Sequence, residues 1–308
     1  MKIAWITGGR GFIGRNLSKH LTHKGLSVYG IGHGTWSQQD YSAFDYQYWL
    51  NAEVEEKSLN QLVNKSGVPE VIFHLAGGSA VGQSIEQPYE DFQRTVDTTA
   101  RLLEWVRQVS PETKVIGVSS AAVYGAGFSE PIMEDAIGHP YSPYGFHKSM
   151  LESLFSSYRE TFDLNVAVVR LFSVYGAGLE KQLLWDICNK LDASTNGKVL
   201  LNGTGDELRD WLHVVDAAKL LWLVAGNKTL NQPFINGGTG IATSIQNVAQ
   251  QVVNAWGGSF EIDFSGIARK GDPESLVADI TIAKSYGFSV ETLLIDGVSD
   301  FVHWFKAR

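Results

Sequence analysis

Two short segments carry side chains that could move a proton and a hydride together. Ser120 stands ahead of Tyr144-Gly-Phe-His-Lys148. A tyrosine and a lysine four apart share one helix face, so an ammonium can sit beside a phenol and favour its ionised form. A free phenol titrates near ~10, too high for a general base at neutral pH. A nearby fixed cation, together with a bound cationic ring, could lower that value. The second segment, at the start of the chain, is Thr7-Gly-Gly-Arg-Gly-Phe-Ile-Gly14.

Gly8, Gly11 and Gly14 in that segment follow an apolar run and open a helical one. In this setting glycines permit a tight turn, close approach of backbone to a pyrophosphate, and close helix–strand packing. The helix amino terminus adds N–H donors and a positive dipole end. A dinucleotide site is therefore expected, with Gly8, Arg10, Gly11, Phe12, Ile13 and Gly14 at the phosphates. An NAD site usually ends its second strand with an acidic side chain on the ribose 2′-hydroxyl. This chain has His33-Gly34-Thr35 there and no carboxylate. Arg10 could reach a 2′-phosphate, with His33 assisting, so NADP(H) is the favoured cofactor and NAD the alternative. Arg10 as a solvated loop residue is the plainer reading. Glu53, near the end of a third strand, is a candidate acceptor for the adenine amino group.

These groups need a scaffold. Apolar, β-rich runs at 2–7, 27–31, 71–75, 114–118 and 165–171 alternate with helical patterns at 12–23, 58–65, 89–109 and 144–161. That is the pattern of a parallel sheet covered by helices. Ser142-Pro143 is a helix start. Later sequence is less regular, with helical stretches at 183–191 and 216–225 and strand-like ones at 199–205 and 234–236. No linker or repeat divides the chain. The expected fold is α/β, a Rossmann-type doubly wound parallel sheet with a smaller, interwoven carboxy-terminal lobe. Residues 1–172, with 212–240 returning, would form the dinucleotide-binding part; 173–211 and 241–308 would form the substrate-binding lobe.

Composition sets bounds. The 308 residues are 44% hydrophobic and 19% charged, enough for a sizeable core. A formal charge of −8 argues against a nucleic-acid binder. No apolar run approaches the ~20 residues needed to span a bilayer. The first residues are too soon followed by glycines for a signal peptide. Cys188, the single cysteine, cannot form an intrachain disulfide and reads as a packed helical thiol. A cytoplasmic protein is expected. No His/Cys/Asp cluster suggests a metal.

With these parts assembled, the chain resembles the extended short-chain dehydrogenase/reductases that act on nucleotide-activated sugars. The markers run nearly end to end: the glycine loop, His74-Leu-Ala-Gly77, Val118-Ser-Ser-Ala-Ala-Val-Tyr-Gly125, Tyr144-x-x-x-Lys148, Arg170-Leu-Phe-Ser-Val-Tyr-Gly176, Arg209-Asp-Trp-Leu-His-Val-Val-Asp216 and Arg269-Lys-Gly-Asp272. Ala76-Gly-Gly-Ser-Ala-Val-Gly-Gln-Ser84 is similar to the segment lining the sugar pocket of UDP-galactose 4-epimerases. The resemblance implies that Tyr144 is the acid/base and that Lys148 holds the nicotinamide ribose and tunes Tyr144. It gives Ser120 the reacting oxygen, with Ser119 as the competing candidate. It places Leu75, Ala76 and Gly77 at the cofactor, and Ser79, Ser173, Arg209 and Arg269 at a nucleoside-diphosphate sugar. Guanidinium forks suit diphosphate oxygens. Ser173 departs from the asparagine more usual in its segment. His74, His147 and His213 read as structural. A homodimer is implied, pairing helices 89–109 and 144–161 across a two-fold axis.

Dehydratases of this type carry Asp-Glu directly after the serine or threonine; Ala121-Ala122 stands there and cannot transfer protons. Two reactions remain. In a 4-ketoreductase, NADPH delivers hydride to C4 of a 4-keto-6-deoxy sugar while Tyr144 donates the proton. In a 4-epimerase, retained NAD⁺ removes the C4 hydride and returns it to the other face. Arg10 and the missing acid favour the reductase, and the pocket segment favours the epimerase. A catalytically silent NADP-binding protein is a third reading, but such proteins commonly lose the tyrosine or the lysine.

Overall fold

The computed structural model describes residues 2–267 and 273–308. Six strands, β1 (Ile3–Thr7), β2 (Ser27–Gly32), β3 (Tyr46–Asn51), β4 (Val71–His74), β5 (Lys114–Ser120) and β6 (Val166–Leu171), join Phe234–Gly237 in one seven-stranded sheet. Its order is β3-β2-β1-β4-β5-β6 and then Phe234–Gly237, every neighbour parallel. The order reverses between β1 and β4, which opens a crevice at the carboxyl ends of those strands.

Alternation along each strand builds the two covering layers. Ala4, Ile6, Phe73 and Ile116 face Leu17 and Leu21 of helix Phe12–His23 and Leu220, Leu221 and Val224 of helix Val214–Gly226. Trp5, Ile72 and Val115 face the opposite way, onto Leu59, Leu62, Leu102, Leu103, Val106, Leu151 and Phe155. Burying one such leucine contributes roughly 2 kcal/mol. Leu102, Leu103 and Val106 are thus core residues.

A third core holds Tyr175, Leu184, Ile187, Cys188, Val248, Val252, Phe301 and Phe305. Helices Gln182–Ala193, Ile245–Trp256 and Leu294–Lys306 enclose it, together with the parallel pair Lys198–Leu201 and Glu261–Phe264. Between these segments the chain passes back through Trp211–His213 and helix Val214–Gly226 to the sheet strand Phe234–Gly237. Cys188 is fully buried and its thiol is pushed up to about 12 by burial, so it is inert packing.

Helix Phe12–His23 coincides with its expected span. The helix expected over 89–109 does not run unbroken. It consists of Pro88–Phe92, a π turn over Gln93–Asp97, and Thr98–Val109. The π turn breaks the regular ladder ahead of Thr98–Val109 and leaves the apolar spacing of Leu102, Leu103 and Val106 untouched. β3 supplies the third strand; its aromatic residues Tyr46 and Trp49 close the sheet edge under the glycine loop.

Candidate active site

The glycine loop is shaped by contacts that no side chain could share. Gly8 has φ +67°, and a Cβ there would stand 2.8 Å from the Ala76 amide nitrogen. A Cβ on Gly14 would stand 2.6 Å from the Gly9 carbonyl oxygen. From beneath, the Tyr46 hydroxyl lies 2.9 Å from the Gly9 carbonyl and 3.0 Å from the Gly14 carbonyl. Gly11 is the N-cap of Phe12–His23, no side chain caps that terminus, and no acidic residue lies in its first turn. The terminal N–H groups therefore point into the crevice as an anion cradle.

The loop floors a cavity of about 440 Å³. Gly8, Gly11, Phe12, Ile13, Gly14, Leu75 and Gly77 line it, opposite Ser119, Ser120, Tyr144 and Lys148. Ser79, Ser173 and Arg209 line its outer part. Ala76 does not; its amide donates to Thr7 Oγ1 at 3.2 Å and braces the wall from behind. Arg10, His33 and Glu53 also lie outside the cavity. Arg10 reaches over the turn after β2, where its Nη1 would be 1.8 Å from a Cβ on Gly34. His33 is exposed at that same turn, and Glu53 is exposed. Arg269 falls outside the described residues.

Ser142 caps the helix Pro143–Phe162 by accepting from the Gly145 amide at 3.2 Å, with Pro143 in its first turn. That helix presents Tyr144 and Lys148 to the end of β5. Lys148 is buried and donates from Nζ to the Val118 carbonyl at 3.0 Å. Burial lowers its ammonium to about 8, against the pull of Asp91 and Glu152. Tyr144 behaves differently from expectation. Burial raises its phenol above the ordinary value; a hydrogen bond from Ser120 opposes this, and the Asp91 charge adds to it. Loss of water outweighs the Ser120 hydrogen bond. Ser120 also accepts from the Ala122 amide at 3.2 Å, which fixes the turn after β5. Ser119 is buried, and its hydroxyl lacks a partner among the described residues.

The three histidines divide. His74 is fully buried, with Nδ1 2.8 Å from Thr7 Oγ1 and Nε2 3.0 Å from Thr99 Oγ1. Burial and the Lys148 charge hold it near 3, so it is neutral. His213 is half-buried beside Tyr175, ring centroids 5.3 Å apart. His147 pairs with Asp91 at 2.5 Å. Among the described residues no group of three or more His, Cys, Asp or Glu could hold a metal, and no helix is long and apolar enough to cross a membrane.

Three participants carried no readable signal. Lys181 crosses the cavity mouth to donate to the Ser79 hydroxyl at 2.9 Å and the Ser79 carbonyl at 3.2 Å. Thr95, in the π turn, accepts from the Gly78 amide at 2.8 Å. Tyr46 supports the glycine loop. Each acts across a long stretch of chain, and none belongs to a local motif.

A family model described as the NAD dependent epimerase/dehydratase family matches residues 4–236. The chain belongs to that family. It is an NAD(P)-dependent enzyme of the extended short-chain dehydrogenase/reductase type. A UDP-glucose 4-epimerase of Mycolicibacterium smegmatis is 28% identical to it over 315 residues, covering 98% of each chain. The solved structure of MoeE5 in complex with UDP-glucuronic acid and NAD superposes with a TM-score of 0.84 at 29% identity, covering 99% of each chain. A UDP-N-acetylglucosamine 4-epimerase from Methanobrevibacter ruminantium shares the fold, with TM-score 0.88 at 22% identity over 99% of this chain and 98% of its own. Relatives of this epimerase/dehydratase chain thus carry epimerase names, and the 4-ketoreductase expectation gains no support from them.

Proposed function

We propose that this enzyme is a nucleotide-sugar 4-epimerase working with NAD⁺. The observation that carries the reading is the convergence of Ser120, Tyr144, Lys148 and Arg209 on one cavity floored by the glycine loop. The full-length likeness to a UDP-glucose 4-epimerase and to a structure holding a UDP-sugar with NAD supports the choice of reaction and cofactor.

The residues present fit a dinucleotide. The glycines let the loop pack against its own backbone, where a Cβ on Gly8 or Gly14 would collide, and the uncapped helix end offers donors to a phosphate. Phe12 and Ile13 begin that helix; Leu75 and Gly77 line the cavity with Ala76 bracing them from behind, and Lys148 would hold the ribose. Residues 1–172 and 212–240 carry this half of the site, and 173–211 with 241–308 carry the sugar nucleotide.

Bound in the anion cradle, NAD⁺ would supply the hydride acceptor and donor for C4. Tyr144, once ionised, takes the proton of the C4 hydroxyl and later gives it back to the C4 oxygen. Ser120 hydrogen-bonds that oxygen and holds it against Tyr144. The Lys148 ammonium stabilises the phenolate by charge. Arg209 grips the diphosphate, with Arg269 as its proposed partner, while Ser79 and Ser173 bound the sugar. Ala121 and Ala122 leave no second acid/base pair for dehydration.

One observation favours a second reading. Arg10 covers Gly34 at the end of β2, and no carboxylate stands there. NADP(H), and with it a 4-ketoreductase, would follow if Arg10 and His33 held a 2′-phosphate. Incubation with NAD⁺ and UDP-glucose, with nuclear magnetic resonance detection of the C4 epimer, separates the two. Exposed Tyr89, Val109, Phe146 and Met150 on the helices beside the site support the homodimer, which sedimentation tests.

A further inference from the structure

We propose that Asp91 and His147 form a positioning pair that keeps Lys148 charged and sets the pH window in which Tyr144 works. The proposal rests on the reading of Tyr144 as the acid/base. Its basis is geometric. Asp91 lies in the helix Pro88–Phe92 and is buried, and its Oδ2 meets His147 Nδ1 at 2.5 Å. His147 immediately precedes Lys148, and the Phe92 ring closes over its imidazole edge-on at 5.6 Å. The carboxylate presses against the cavity wall: its Oδ1 would be 1.8 Å from a Cβ on Gly78. Only glycine at position 78 lets this charge come so close. The π turn that follows places Thr95 on the neighbouring Gly78 amide and so holds the same wall.

The groups facing Lys148 and Tyr144 single out Asp91. From the helix Pro143–Phe162 comes Glu152, but Arg170 of β6 binds both its oxygens, at 3.0 and 2.8 Å, and offsets its charge. His74 of β4 is neutral, and Ser120 and Thr95 carry no charge. Asp91 remains, held by an imidazole N–H that fixes the carboxylate without itself needing to be charged. Asp91 raises both groups: it supports the Lys148 ammonium and makes the Tyr144 phenol harder to ionise. Because Asp91 acts on both groups in the same direction, its removal moves both apparent values the same way.

The test uses the full enzyme with bound NAD⁺. In Asp91→Asn, both limbs of the pH profile of kcat/KM are expected to shift to lower pH by about one unit, a tenfold change in proton affinity. His147→Asn, which keeps an N–H donor, is expected to leave both limbs in place. Gly78→Ala, which displaces the carboxylate, is expected to move them as Asp91→Asn does. A second readout needs no turnover: tyrosinate absorbance of the ligand-free protein, taken as the difference from the matching Tyr144→Phe protein, should titrate at lower pH in Asp91→Asn. Lower activity at every pH with both limbs and the tyrosinate titration unchanged would overturn the proposal and leave the assigned role of Tyr144 standing. Full activity in Tyr144→Phe would instead overturn the underlying reading.

Discussion

The Lys148 ammonium lies 5.8 Å from the centre of the Tyr144 ring, yet its hydrogen bond runs to the Val118 carbonyl at 3.0 Å. The phenol's partner is Ser120. Serine therefore touches the phenol, while the lysine sits beside its ring and is tied to the backbone.

Tyr144→Phe removes the proposed proton carrier and keeps the ring that lines the cavity. Turnover is expected to fall by ~10²–10⁴-fold, with the dissociation constant for NAD⁺ within about twofold of the parent. Isothermal titration and steady-state kinetics on one preparation check both halves.

Lys148 titrates at about 8 against an ordinary 10.5. The folded chain binds this proton more weakly than the unfolded one, so between about 8 and 10.5 stability rises with pH relative to Lys148→Met. Activity runs the other way: the ammonium is lost as pH passes upward through that range, and the falling limb of the profile should vanish in Lys148→Met. Urea unfolding and kcat/KM across pH measure the two trends.

His74 is held near 3 against an ordinary 6.5. Below 6.5 the unfolded chain takes up a proton that the folded chain refuses. Stability should therefore fall as pH drops, by up to ~1.4 kcal/mol per unit from this group. The slope should persist until pH reaches about 3. Urea midpoints at three acidic pH values, compared with His74→Gln, isolate the contribution.

Arg10 sits over Gly34, where the NADP(H) reading would put a 2′-phosphate. Arg10→Ala is expected to weaken NADP⁺ binding by about tenfold, the value of one charge-assisted hydrogen bond, and NAD⁺ binding by less than about twofold. Fluorescence titration with both dinucleotides reads the ratio.

Much of this site was legible because its parts are local. Gly8, Gly11 and Gly14 share one turn, Tyr144 and Lys148 share one helix face, and Ser120 ends one strand. Helix Phe12–His23 follows from an apolar period that nothing interrupts. Features created by meetings between distant segments were not legible. The Lys181–Ser79 bridge joins residues 102 apart, and the π turn at Gln93–Asp97 leaves no mark on the apolar pattern. The phenol's upward shift was missed for the same reason: it depends on burial by several elements, whereas spacing revealed only the lysine beside it.

The most direct test of the account supplies UDP-glucose in large excess over NAD⁺ and follows both the sugar and the dinucleotide. The account predicts that the C4 epimer accumulates over many turnovers with no net NADH. Absence of the epimer, together with stoichiometric oxidation of NADPH by a nucleotide-linked 4-keto sugar, would contradict it.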